Sequence, residues 1–471
     1  MLTVILFSTL ASFAADTASD RDRFHRAYFR EVAEGRVEEA LREYRALESA
    51  FGYDEDRSYR AWVQVRIAAC ELALGNREAV ELALEHATAI PKLDERITKA
   101  INTVRQRLRG DVAVDPAPLP NRSETQKAIL LGAKWLVAHQ RSDGAWSPED
   151  RGAGIGNFDV GVTGLALRAL HDSELAGDVE GREQAIDRAI HWLLAHQSHG
   201  DEPRTRGAVG QSDNPDWIWS HAWATLALIE IYQDSLEESL REPITEAVSY
   251  GIRHQNEGYG WGTEYQCGRN DTLNTGWMVA SLEIARELAR DGRLDIPVDA
   301  IDTSIASAHN WTRRCTASSN GRTGMVAPGD PGPGLAYHQA KENVFAPRET
   351  MTAMGLAIRL AAGESKDEAS FRKSVALLLD ELPSYGRDDR GSTVDFVYWE
   401  RGTDALRRVG GSPWGAWQGS VTRAILPTQE QDGDARGSWA PLGFWGPVGG
   451  RTLPTALAVS TLVEASRPER N

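Results

Sequence analysis

Six polar or charged residues recur at one kind of position: Asp159, His221, Asp271, Glu349, Asp395 and Arg451 each stand where a long loop runs into a helical pattern. Carboxylates, an imidazole and a guanidinium gathered around one opening can do acid–base work or capture a polar ligand. The plainer reading is capping, because Asp is a preferred N-cap and acids are favoured at helix N-termini by the dipole. His221 and Arg451 fit capping poorly. If chemistry is done here, Asp271 and Asp395 form the first carboxylate pair to test, with His221 as proton carrier, in the manner of glycoside cleavage.

The elements that position them come as a repeat. Three amphipathic segments align on an aromatic five residues before a Gln: Trp135/Gln140, Trp192/Gln197 and Tyr250/Gln255. Each ends in a Gly-containing turn, runs through a loop, and continues into a helix of small and apolar residues such as VGVTGLALRAL or HAWATLALIEIY. The alternation recurs more loosely to the end of the chain and makes six helical hairpins. No polar capping repeat stands at either end, so the expected architecture is closed: an all-α (α/α)6 toroid, with the small-residue helices as its inner wall. The three His-Gln pairs place His139, His196 and His254 in different hairpins, spread around the outside. They cannot converge on one metal ion.

The six loops are rich in Gly and aromatics, as in GYGWGTEYQCGRNDTLNTGW, and leave the same end of the hairpins. They are expected to form one mouth over a central cavity. Cys267 and Cys315 follow the first helices of neighbouring hairpins on that rim, where a disulfide is one reading and two thiols the other. Cys70, among apolar helical neighbours, reads as a small core residue.

The segments KWLVAHQRSDGAW and AILPTQEQDGDARGSW resemble the Gln-Trp repeats of the terpenoid cyclase and protein prenyltransferase superfamily, over roughly 124–468. The resemblance implies an α/α toroid in which Gln140, Gln197, Gln255 and Gln429 tie neighbouring outer helices together through backbone groups. It also implies that the inner-wall aromatics Trp223, Trp277, Tyr398 and Trp399 line a cavity for an isoprenoid chain, with helix-to-helix packing as the alternative. The catalytic motifs of that superfamily are missing. No Asp-x-Asp-Asp run occurs; Asp388-Asp389 and Asp54-Glu55-Asp56 stand in the wrong context. Cys267 and Asp271 have the wrong spacing for zinc, with His338 in a long loop, and Cys267-Gly268-Arg269-Asn270 lacks the Gln of a thioester site. No metal and no cofactor are expected. Carbohydrate-active enzymes also use six-hairpin toroids, so a glycan is the alternative ligand; a non-catalytic envelope scaffold is the third reading.

Composition bounds the rest. With 52 Lys+Arg against 68 Asp+Glu the formal charge is −16, which disfavours nucleic acid as a partner. Residues 1–14, MLTVILFSTLASFA, read as a secretory signal, so the chain is expected to be exported to the periplasm or beyond. No later segment reaches transmembrane length, and an integral membrane protein is not expected. From 20 to 109 two helix–turn–helix units marked by Gly35 and Gly75 resemble tetratricopeptide hairpins and suggest a protein-docking module. GDVAVDPAPLPNRSE places a Pro-rich linker at 110–123, ahead of the toroid at 124–468.

Overall fold

The computed structural model describes residues 37–48, 57–93, 95–109, 122–148, 158–210, 217–329, 349–388, 391–442 and 445–467, with isolated residues between 20 and 31. The signal segment 1–14 and linker residues 110–121 lie outside the described residues, as do parts of the long loops, including His338. The chain divides into two compact units, Met1–Ala117 and Pro118–Asn471.

The first unit is built from α1 (Val37–Leu47), α2 (Arg57–Ala73), α3 (Arg77–Thr88) and α4 (Glu95–Arg109). Apolar residues at helical spacing, such as Ala40, Leu41, Tyr44 and Leu47 on α1, bury one stripe of each helix in a common core. Gly75, at φ +80°, turns the chain between α2 and α3. Cys70 lies fully inside this core, and burial pushes its thiol far above the usual range, so it is an inert packing residue.

The second unit holds six hairpins. The outer helices are α5 (Arg122–Ala138), α7 (Arg182–Ala195), α9 (Glu238–His254), α11 (Val298–Cys315), α13 (Ala369–Asp380) and α15 (Gly411–Ile425). Their inner partners are α6 (Asp159–Asp172), α8 (Trp217–Ser235), α10 (Thr272–Arg290), α12 (Thr350–Ala361), α14 (Phe396–Val409) and α17 (Thr452–Ser466), with a short α16 (Gly446–Gly449) ahead of the last. Each inner helix packs on the next, and α17 packs back on α6, so the ring closes. Small residues set the spacing. A Cβ on Gly164 would lie 2.8 Å from the Ala224 backbone, so α6 and α8 touch through their main chains. The α17 sequence is apolar all round and buried all round, as a helix enclosed by two neighbours and an outer layer must be. A two-residue antiparallel ladder, β1 (Arg387–Asp388) with β2 (Gly391–Ser392), decorates the fifth loop.

The Gln ties expected from the resemblance are present. The Gln140 side-chain amide reaches across hairpins: its Nε2 donates to Gly144 O in its own turn and to Ala185 O on α7, both at 2.8 Å. Gln197 does the same to Gly207 and Pro243, and Gln255 to Tyr259 and Ser304. Gln429 donates to Gly437 and, at 2.8 Å, to Ala128 on α5, which bolts the last hairpin to the first. Trp146, Trp261 and Trp439 fold back so that their indole N–H groups donate to Leu136, Gly251 and Ile425 carbonyls at helix ends.

Candidate functional site

The inner helices begin at the loop-bearing rim. In four hairpins a Thr side chain accepts from the backbone N–H of the returning loop: Thr163 from Trp146, Thr275 from Trp261, Thr352 from Thr323 and Thr455 from Trp439. In the second hairpin His221 takes that place, its Nδ1 accepting from Val209 N–H at 3.1 Å. The ring is fully buried, and burial, aided by the nearby His254, drives its pKa down to about 3. His221 is a neutral loop anchor, and the missed signal is its alignment with the four Thr residues.

The rim acids are engaged in the same kind of work. Asp271 is the N-cap of α10: Oδ1 accepts from Asn274 N–H at 2.7 Å and Oδ2 from the Asn274 side chain at 2.6 Å. Its burial raises its pKa to about 6, against the pull of those hydrogen bonds. Asp395 caps α14 through Tyr398 N–H and accepts from Thr350 Oγ1 at 2.8 Å. Glu349, ahead of α12, is paired with Arg322 and accepts from Thr352 Oγ1 at 2.7 Å. Asp159 accepts from Ser147 and Arg141, and Arg451 donates to Ser438. Asp271 and Asp395 stand at the heads of helices separated by α12 in the ring.

The disulfide reading is corrected: Cys267 and Cys315 are thiols, not a bonded pair. Cys315 is enclosed at the end of α11, whereas the Cys267 thiol stays within its own loop and points at Arg269 O, 3.6 Å away. The aromatics are packed rather than exposed. Tyr398 stacks edge-on against Trp417 and donates to Glu381 O, which turns it between hairpins. Trp399 lies against Phe396.

Trp223 and Trp277 do face the centre. Trp277 on α10 carries the Arg401 guanidinium of α14 over its ring at 4.5 Å, a contact that skips α12 and so crosses the lumen. Trp223 meets Trp277 edge-on at 5.4 Å, and Trp219 meets Trp445 at 5.7 Å from the far side of α6. The lumen stripe of α8 therefore runs Trp219, Trp223, Leu226, Glu230, and that of α10 runs Trp277, Ala280, Ile284, Glu287. The stripes are aromatic near the rim and charged at the C-terminal ends of the inner helices.

At that charged end lies a cavity of about 350 Å³, which opens away from the expected mouth. Nine acidic residues and four arginines line it, and its apolar lining is confined to a few aliphatic side chains. The core of the wall is one guanidinium shared by two carboxylates: Arg168 Nε donates to Glu230 at 2.7 Å and its Nη1 to Glu400 at 2.7 Å. Arg401 pairs with Glu400 through both arms, and Arg408 holds Glu283 through bonds of 2.7 and 3.0 Å. The two Arg168 partners titrate apart. Burial raises Glu230, with Arg168 only partly opposing it. Burial acts on Glu400 too, but Arg401 and Arg168 outweigh it and hold the carboxyl down to about 2. Neither residue stood out in the sequence, because each is one acid among many on a helix whose lumen face cannot be read without the ring.

No metal-ligating cluster of His, Cys, Asp and Glu occurs among the described residues. Among those residues no helix is long and apolar enough to cross a membrane.

No family model and no curated protein matches the chain. Solved structures do. An unsaturated glucuronyl hydrolase from Streptococcus agalactiae superposes with a TM-score of 0.53 at 11% identity, over 74% of this chain and 94% of that one. An α-1,6-mannanase of a Salegentibacter species gives 0.49 at 13%, over 74% and 99%, and a type II terpene cyclase from Scytonema gives 0.44 at 16%, over 74% and 99%. At such identities the likeness speaks for architecture, and the second unit of this chain is an α/α toroid of six hairpins.

Proposed function

We propose that the toroid binds a hydroxyl-rich ligand of the carbohydrate class in its charged cavity, with Glu230 and Glu400 as an acid–base pair. The observation that carries this reading is the split titration across Arg168: one carboxyl pushed toward its protonated form, its neighbour held ionised, both in one wall of one cavity. Glu230 is the group suited to give a proton to a leaving oxygen. Glu400, fixed negative by two arginines, is suited to face developing positive charge. Sugar hydroxyls donate to carboxylates and accept from guanidinium groups, so this lining matches them atom for atom better than it matches a hydrocarbon. The fold likeness to a glucuronyl hydrolase adds an analogy and no more.

The isoprenoid reading has less support. Its expected lining, Trp223, Trp277, Tyr398 and Trp399, is 1–2% exposed, and the space described below those residues is walled by charge. Export and a docking role for the amino-terminal hairpins stay within this proposal as the setting in which such a ligand would be met. The test is release of reducing ends from oligosaccharides by the full-length protein. Turnover that disappears in Glu230→Gln supports the pair, whereas turnover that survives the substitution overturns its role as proton donor.

A further inference from the structure

The 350 Å³ cavity at the C-terminal ends of the inner helices is not balanced in charge, for carboxylates outnumber guanidinium groups in its lining by nine to four. All four arginines are already held. Arg168, Arg401 and Arg408 are bonded to the glutamates named above, and Arg467 stands 3.3 Å from Glu464. Two further carboxylates of the lining have no arginine within salt-bridge reach among the described residues: Asp234 meets His171 at 2.8 Å, and Glu287 accepts from the Gln233 amide at 3.4 Å. Both line the cavity yet are exposed, which places them at its mouth. Deeper in, burial raises Glu283 as it raises Glu230, with an arginine only partly opposing it in each case. The wall thus gathers more negative charge than the cations of the chain offset.

The volume is within the range of small-molecule pockets, and charge sorts what could fill it. A carboxylated ligand meets acceptor-only groups of its own sign, and it reaches a guanidinium well only by displacing a carboxylate already there. Neutral hydroxyls bond to carboxylates but leave their mutual repulsion as it was. An ammonium group brings three donors and no acceptor, and its charge offsets that repulsion. We infer, resting on the carbohydrate reading of this cavity, that its ligand bears a protonated amine beside its hydroxyls, an amino sugar in preference to a neutral sugar or a uronate, and that Asp234 and Glu287 attract the amine at the mouth. This assigns Asp234 and Glu287 a part in specificity and none in proton transfer.

The full-length protein is titrated calorimetrically, at a pH where the amine is protonated, with a glucosamine disaccharide, its N-acetylated counterpart, a glucuronate-containing disaccharide and 1,4-diaminobutane. The first two differ at the amine, where acetylation removes the charge. The glucosamine disaccharide is expected to bind at least about tenfold more tightly than the acetylated one, with a preference that shrinks as salt is added. The double variant Asp234→Asn, Glu287→Gln should lose several-fold of that preference while keeping the affinity for the acetylated sugar. Equal affinity for the two sugars, or tighter binding of the glucuronate, overturns the amine preference and leaves the hydroxyl-rich reading standing. A preference unchanged in the double variant overturns the role of the mouth carboxylates. Saturable binding of the diamine with no response to any saccharide supports the cation and sinks the carbohydrate reading, whereas silence from all four probes sinks both.

Discussion

Glu230 and Glu400 occupy two arms of one guanidinium, that of Arg168, each at 2.7 Å, yet burial lifts the first and two arginines hold the second down to about 2. The asymmetry has a mechanical consequence. Glu400→Gln takes one of Arg168's two carboxylates and the two-armed partner of Arg401 out of a buried wall, and should cost about 3–5 kcal/mol of unfolding free energy. Glu230→Gln removes a carboxylate whose charge burial disfavours and leaves Arg168 its Glu400 partner, so it should cost less, about 1 kcal/mol. Urea denaturation of both variants checks the order; equal losses would mean that the two carboxyls sit in equivalent environments.

Asp271 ties stability to pH. Its folded pKa of about 6 lies above the ordinary 3.8, so the native state holds the proton more tightly than the unfolded chain. The stabilisation is complete below about pH 4 and is lost as pH rises through 6, by up to about 3 kcal/mol. Asn is also a good N-cap. Asp271→Asn should therefore gain stability relative to the parent between pH 4 and 7, measured by denaturation at each pH.

His221 acts in the opposite direction. Its folded pKa of about 3 lies below the ordinary 6.5, so its contribution is full above pH 6.5 and is lost as pH falls toward 3. Thr serves this position in four hairpins. His221→Thr should keep the Val209 bond, cost about 2 kcal/mol at pH 7 through the space it leaves, and flatten the acid limb of the stability curve. Thermal melts from pH 4 to 7 provide the comparison.

The closure tie gives a prediction about the ring itself. Gln429→Ala removes both hydrogen bonds that join the sixth hairpin to Ala128 and to its own turn, leaving two buried carbonyls without them. The expected loss is about 2–4 kcal/mol, with hydrogen exchange faster at both α5 and α15. Exchange that changes in α15 alone would show that the tie does not carry closure.

How much of this was legible beforehand differs between ring and site. The six-hairpin ring was readable because the aromatic-to-Gln spacing recurs and because small-residue helices can only be an inner wall. The capping reading of Asp271 and Asp395 was also available, since residue type and loop-to-helix position both point to it. His221 looked chemical because it was judged alone; aligned on Thr163, Thr275, Thr352 and Thr455 it is a loop anchor. Glu230, Glu400 and Arg168 were invisible for a physical reason. Their meeting depends on which face of α6, α8 and α14 looks inward, and on arms that span the ring between residues distant in sequence. Cys267 and Cys315 shared a rim, but the direction in which each side chain leaves its backbone is not written in the spacing.

Isothermal titration of the full-length protein with a neutral disaccharide, a uronate-containing disaccharide and farnesol weighs the charged lumen against an apolar one. The account predicts saturable heat with at least one saccharide, retained within about threefold in Kd by Glu230→Gln, and none with farnesol. Saturable binding of farnesol with no response to either saccharide would contradict it.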